Sequence, residues 1–139
     1  MRVLLKELLR GDRFDLELDG VSAAGFVSCS GLQSRREVLE YREGGSNRVE
    51  LFEDGPGTGR LVLERGLTFD AELWSWYESA QPRGGAVVLL DEDGNESMRW
   101  NFSGALAVGW EGPPLDARNP EIALEKLEIA YEGLECKRT

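Results

Sequence analysis

Residues 84–102 read GGAVVLLDEDGNESMRWNF, and the reading of this stretch decides the fold. Ala86, Val87, Val88, Leu89 and Leu90 form a short run of β-branched and aliphatic residues, whereas Met98, Trp100 and Phe102 alternate with Ser97, Arg99 and Asn101. Alternation of period two marks a strand with one buried face, and a continuous apolar run marks one covered on both. Between the arms, Asp91-Glu92-Asp93-Gly94-Asn95 combines carboxylates that accept nearby backbone N–H groups with a glycine suited to positive φ. The stretch is a β-hairpin.

Outward from the hairpin, the same period recurs. Phe14, Leu16 and Leu18 alternate with Asp15, Glu17 and Asp19 and stop at Gly20, which gives a strand with one strongly acidic face. Residues 25–30 and 35–41 are further strand candidates. Leu61 and Leu63 alternate with Arg60, Val62 and Glu64 up to Gly66, and residues 105–111 read as another strand ended by Gly112-Pro113-Pro114. Residues 42–59, REGGSNRVELFEDGPGTG, form a long glycine-rich loop or a loosely paired hairpin, and a loop of that length is a candidate contact element.

Helical spacing is clear in one place. Over residues 69–80, Leu73, Trp76, Tyr77 and Ala80 share a face, Thr68 or Asp70 is placed to cap the N-terminus, and Pro82 and Gly84 stop the helix. Residues 2–10 predict only a short amphipathic turn, with Leu4, Leu5, Leu8 and Leu9 on one side. Residues 120–135, PEIALEKLEIAYEGLE, support two readings. Ala123, Leu127, Ala130 and Leu134 make a helical stripe, which pattern and propensity favour, while Leu127, Ile129 and Tyr131 also fit strand alternation.

Composition narrows the function. The 139 residues, 41% of them hydrophobic, suit a single domain spanning 1–139. A net charge of -10, from 26 acids against 16 bases, repels nucleic acid and anionic membrane and favours basic partners. Cys29 and Cys136 lack metal-ligand spacing and predict two reduced thiols. The apolar run near the N-terminus is interrupted by Lys6 and Glu7, so it reads as neither signal peptide nor membrane span, and the expected location is a cytosol.

Catalytic chemistry has little to stand on. There is no histidine, which removes the commonest general base and metal ligand. Asp91, Glu92, Asp93, Asn95 and Glu96 are concentrated enough to suggest calcium, yet they lack the ligand spacing of a calcium loop and read better as a solvated turn. Gly55-Pro56-Gly57-Thr58-Gly59 lacks the Lys-Ser/Thr ending of a phosphate loop. The tryptophans at 74, 76, 100 and 110 suit core or interface anchors better than ligand stacking. No cofactor or metal is expected, and an enzyme ranks last.

Several pieces taken in order carry a resemblance: FDLELDGV from residue 14, SGL, YREGGSN at 41–47, LVLERGLTFDAELWSW, VVLLDEDGNE, WNFSGA, WEGPPLDA and LEKLEIAYEGLE. Together they resemble the tail-tube protein family of contractile phages and phage-like contractile injection systems, most of all the inner-tube proteins of extracellular systems. The N-terminus departs from the family pattern, with MRVLLKELLRGD in place of a proline-containing arm.

The resemblance implies a mainly β fold, a two-sheet β-barrel or sandwich of the tail-tube type with one outer α-helix and a long Gly-rich loop. It implies that residues 120–135 are a strand, with a bulge near Glu125 and Lys126 restoring register. It further implies homohexameric rings stacked into a tube, with a contractile sheath, baseplate, spike and tube-cap proteins as partners and cargo in the lumen. The subunit itself would neither enter a membrane nor read nucleic acid sequence. Within that frame Arg42, Glu43, Gly44, Gly45, Ser46 and Asn47 are ring-stacking candidates, and Asp70, Glu72, Trp74 and Ser75 are sheath-facing candidates. Asp15, Glu17 and Asp19 are candidates for the lumen. A tube-initiating baseplate subunit of the same family and a monomeric β-barrel that binds a small ligand are the competing readings.

Overall fold

The computed structural model describes residues 8–21, 25–35, 38–42, 49–53 and 58–138. The chain runs β1 (Phe14–Leu18), β2 (Phe26–Ser30), β3 (Val38–Arg42), β4 (Val49–Glu53), β5 (Gly59–Gly66), α1 (Glu72–Ser79), β6 (Arg83–Leu90), β7 (Glu96–Glu111), β8 (Leu124–Tyr131) and β9 (Gly133–Arg138). The expected hairpin is β6 and β7. The Asp91 carboxylate accepts the backbone N–H groups of Asp93 and Asn95, both at 2.9 Å, and Gly94 takes φ +84°.

Every ladder is antiparallel. Strand β7 is the longest, at 16 residues, and it joins two layers. Its first half lies between β6 and β9, with β1 beyond β6, while its second half pairs with β8, followed by β5 and β2. The sequence predicts two separate strands here, one ending at Phe102 and another over residues 105–111. Instead the chain turns a corner without leaving the ladder: Gly104 adopts φ +59°, and across from it the Glu132 N–H bonds the Ser103 carbonyl at 3.0 Å between β8 and β9. A glycine reaches that backbone region without the Cβ penalty of other residues.

The two layers face each other over one core. Leu16, Val87 and Phe102 come from the first layer and Leu61, Leu63, Leu127 and Ile129 from the second, all buried. Among the described residues no ladder closes one layer onto the other, so the architecture is a sandwich and not a closed barrel. Among the described residues, edges remain at β1, β9, β2 and the second half of β7. Strands β3 and β4 pair with each other as a separate hairpin, which resolves residues 42–59 in part as the paired alternative.

Against their helical stripe, residues 124–131 and 133–138 are strands, β8 and β9; the resemblance implied one strand over 120–135, but the chain breaks at Glu132 and the two pieces pair with different halves of β7. The expected bulge at Glu125 and Lys126 is absent. Register between β5 and β8 is unbroken from Leu124 to Tyr131, and the irregularity lies in β7 between Ala107 and Gly109. No correction of phase is needed because Glu125 itself points inward, in step with Leu127, Ile129 and Tyr131.

Candidate assembly interface

Strand β1 presents Asp15 and Glu17 outward while Leu16 and Leu18 enter the core. Asp19 follows the strand and is also exposed, its N–H bonded to the Gly84 carbonyl at 3.0 Å. The acidic face is less bare than its sequence suggests. From β7, Arg99 reaches over β6 to Glu17, with nitrogen–oxygen distances of 2.8 and 3.1 Å, and also holds Glu96. The hydrogen bond from Arg99 lowers the Glu96 carboxyl below its ordinary range. Ala86 and Val88, on the same outward face of β6, are buried. A guanidinium fork spanning three strands accounts for apolar residues surviving on a charged face, since its planar donors match a carboxylate bidentately.

Helix α1 is shorter than its pattern predicts and has no side-chain cap: Ala71, in the left-handed region at φ 52°, occupies the capping position. Thr68 donates to Asp70 at 2.5 Å, which lowers the Asp70 carboxyl below its ordinary range, so this pair serves the loop before the helix. Leu73 and Trp76 are buried as expected. Tyr77 is not; at 36% exposure it lies against Trp74, with ring centroids 5.6 Å apart.

The sheath-facing candidates divide. Asp70 and Ser75 are exposed. Trp74 is 39% exposed and packs edge-on against Trp110 at 5.0 Å. Glu72, expected in solvent, is turned towards Arg65 at 3.5 Å with a side-chain exposure of only 25%. Arg65 is the reason. It lies 2% exposed between Glu72, Glu125 and the ring of Phe26, and Glu125 in turn accepts from Trp110 Nε1 at 3.2 Å. The helix is thereby fastened to β5, β7 and β8 through one buried polar group.

Arg65, Glu125 and Arg99 were missed as organising residues. A signal existed for the first two: Arg65 continues the inward phase of Leu61 and Leu63, and Glu125 that of Leu127 and Ile129. Of the ring-stacking candidates, Arg42 ends β3 and residues 43–47 lie outside the described residues. Among the described residues no group of acidic or thiol side chains is arranged to hold a metal ion. Two hollows of about 440 and 290 Å³ share Leu32 and Trp100 in their walls.

This fold and topology are shared with known assemblies, and the family profile of the T4-like virus tail tube protein gp19 matches residues 11–135. The chain belongs to that tail tube family. Solved structures agree. A chain of the sheath-tube complex of the PVC extracellular contractile injection system, in the extended state, superposes with TM-score 0.80 at 22% identity, covering 97% of this chain and 95% of that one. A chain of the anti-feeding prophage baseplate, 6-fold symmetrised, superposes with TM-score 0.75 at 28% identity, with 94% and 96% covered. Hcp1 from Flavobacterium johnsoniae shares the fold at TM-score 0.56 and 17% identity over 91% and 95%. No curated protein sequence matches the chain significantly. As a tail tube family member the chain is a structural tube subunit, a component of a phage tail-like particle. The reading as a monomeric ligand-binding barrel is not favoured. No helix among the described residues is long and apolar enough to cross a membrane.

Proposed function

We propose that six copies close into a ring and that rings stack into the inner tube of a contractile injection particle, enclosed by a sheath and bounded by cap and baseplate proteins. The observation that carries this reading is the set of strand edges left open at β1, β9, β2 and β7 in a chain matched over residues 11–135 by a tail tube family. Open edges present unpaired backbone donors and acceptors, and a closed ring of identical neighbours satisfies them without end. The six-fold symmetry of the anti-feeding prophage baseplate and the sheath-tube complex of the PVC system, where similarly folded chains are found, support six copies and a sheath as partner. Catalysis has no part in this role.

The outward face of β1, β6 and the first half of β7 lines the lumen in this proposal. Asp15, Glu17 and Asp19 then repeat around the ring, and with Arg99 they keep the wall wet and non-adhesive to acidic cargo. The other layer is a poorer lining, because Val62, Leu106, Val108 and Leu124 are exposed on it. Helix α1 lies outside, with Asp70 and Ser75 towards the sheath. Analytical ultracentrifugation with electron microscopy tests the ring, and Asp15→Cys tests the face: in long tubes a bulky maleimide labels it slowly, in rings quickly. Monomer at all concentrations sinks the ring, and equal labelling sinks the lumen assignment.

The competing reading within the family is a subunit that initiates the tube, and a baseplate structure is among those that share the fold. Copy number separates the two. An initiator is present once per particle as a single ring, and the main subunit outnumbers every baseplate protein.

A further inference from the structure

Helix α1 carries two large aromatic side chains that the core does not use. Leu73 and Trp76 are buried, whereas Trp74 and Tyr77, about one turn apart on another side of the helix, each remain more than a third exposed. Their ring centroids lie 5.6 Å apart, and Trp74 meets Trp110 of β7 edge-on at 5.0 Å. The indole N–H of Trp110 is held from behind by Glu125. Rings from a helix and a strand thus support one another as an aromatic ledge that reaches solvent. The charge beside it has one sign. Helix α1 bears no basic residue, Glu78 follows Trp74 by four residues and so neighbours it on the helix surface, and Asp70 stands exposed just before the helix. Among the described residues, the guanidiniums that lie over aromatic rings are placed elsewhere: Arg65 is 5.4 Å from the centre of Phe26, and Arg83 is 5.6 Å from that of Trp76. Trp76 receives its cation from within the fold, while Trp74 and Tyr77 have acids for neighbours.

We propose that this ledge seats a cationic side chain, arginine in preference to lysine, presented by the sheath that encloses the tube. The proposal rests on the reading of the chain as an inner-tube subunit with α1 outermost, and adds to it the chemistry of the contact. An aromatic face attracts a cation through its quadrupole, most strongly when the ring is tryptophan, and a guanidinium also stacks flat on the ring. The carboxylates of Asp70 and Glu78 raise the local concentration of cations at the margin and leave the ring faces clear. A purely apolar partner fits less well, because covering Trp74 and Tyr77 with it would desolvate Glu78 without supplying an opposite charge. The arrangement repeats outside the fold, with a partner's cation, what Arg83 makes with Trp76 inside it.

The test is cosedimentation of the particle's sheath protein with tubes of the full chain, each variant first checked for tubes by electron microscopy. Trp74→Leu removes the quadrupole and keeps a large apolar side chain, and it is expected to weaken sheath binding roughly fivefold or more. Tyr77→Leu is expected to act in the same direction, and Trp74→Phe, which retains a ring, to lose less than Trp74→Leu. Replacing Tyr77 with p-benzoylphenylalanine gives a readout independent of affinity: photocrosslinking in assembled particles is expected to recover a sheath peptide that contains arginine or lysine at the linked site. This crosslink decides the matter should Trp74→Leu fail to form tubes. Intact Trp74→Leu tubes that bind sheath as well as the unaltered chain reduce the ledge to an ordinary apolar contact and overturn the proposal. So does a crosslink found only between tube subunits. Unaltered chains that form neither rings nor tubes sink the tube reading and this proposal with it, whereas sheathed tubes indifferent to position 74 sink this proposal alone.

Discussion

Arg65 on β5 and Glu125 on β8 stand directly opposite one another in the ladder, both buried, with Nη2 and Oε1 3.5 Å apart. Breaking such a pair by removing one partner leaves an uncompensated buried charge, whereas replacing both with apolar residues of similar volume is close to neutral. Glu125→Gln and Arg65→Met are each expected to cost about 3 kcal/mol in urea denaturation of the subunit. The double variant Arg65→Met with Glu125→Leu recovers most of it. A single substitution that leaves the midpoint unchanged refutes a structural role for the pair.

The corner of β7 depends on Gly104. An added Cβ there meets the Glu132 carboxylate at 2.7 Å, and the φ of +59° is unfavourable for any residue with a side chain. Gly104→Ala is expected to cost roughly 1–2 kcal/mol, mostly from the backbone because the Glu132 side chain is free to swing away. Thermal unfolding checks it, and an unaltered melting temperature contradicts the strained corner.

The hairpin of β3 and β4 pairs with no other strand among the described residues. A two-stranded hairpin is marginal in water unless something covers it. Hydrogen exchange on dissociated subunits and on stacked tubes is expected to find its amides, from Val38–Arg42 and Val49–Glu53, protected only in the tube. Equal protection in both states removes it from the stacking contact.

Asp70 before α1 and Ser75 and Glu78 on it are exposed, with Glu72 turned to Arg65, and in the proposed tube they are the groups offered to a sheath. Asp70→Lys with Glu78→Lys is expected to weaken sheath assembly and flatten its salt dependence, since screening acts over roughly 8 Å at physiological ionic strength. Glu72→Lys instead destabilises the fold. Sheath assembly that is indifferent to the first pair, on intact tubes, excludes an electrostatic contact at α1.

Cys29 supplies a pH dependence. Burial raises its thiol from 9.0 to about 11, so the folded subunit favours the neutral form. The resulting stability is fully present below pH 9 and is lost as pH rises towards 11. Cys29→Ala is expected to flatten the stability profile within that window and not below it. Parallel profiles for the two proteins up to pH 11 contradict the assignment.

Local chemistry made much of the molecule readable from the sequence. The turn at Asp91 to Asn95, the alternation of β1 and the buried Leu73 and Trp76 depend on neighbours within a few residues, so periodicity and turn chemistry suffice to predict them. The helical stripe of residues 120–135 misled because strand and helix periods share several positions, and the ladder to β5 decided between them. An inward Glu125 could be accepted only once Arg65, 60 residues earlier, stood across from it. The same holds for Glu72, drawn from the solvent side of its helix by that arginine, and for Glu17, met by Arg99 from two strands away. Short-range order is written in spacing along the chain. The placement of charge was decided by partners that only the packing of distant strands brings together, because a buried or half-buried carboxylate is tolerable only where an opposite charge is already fixed.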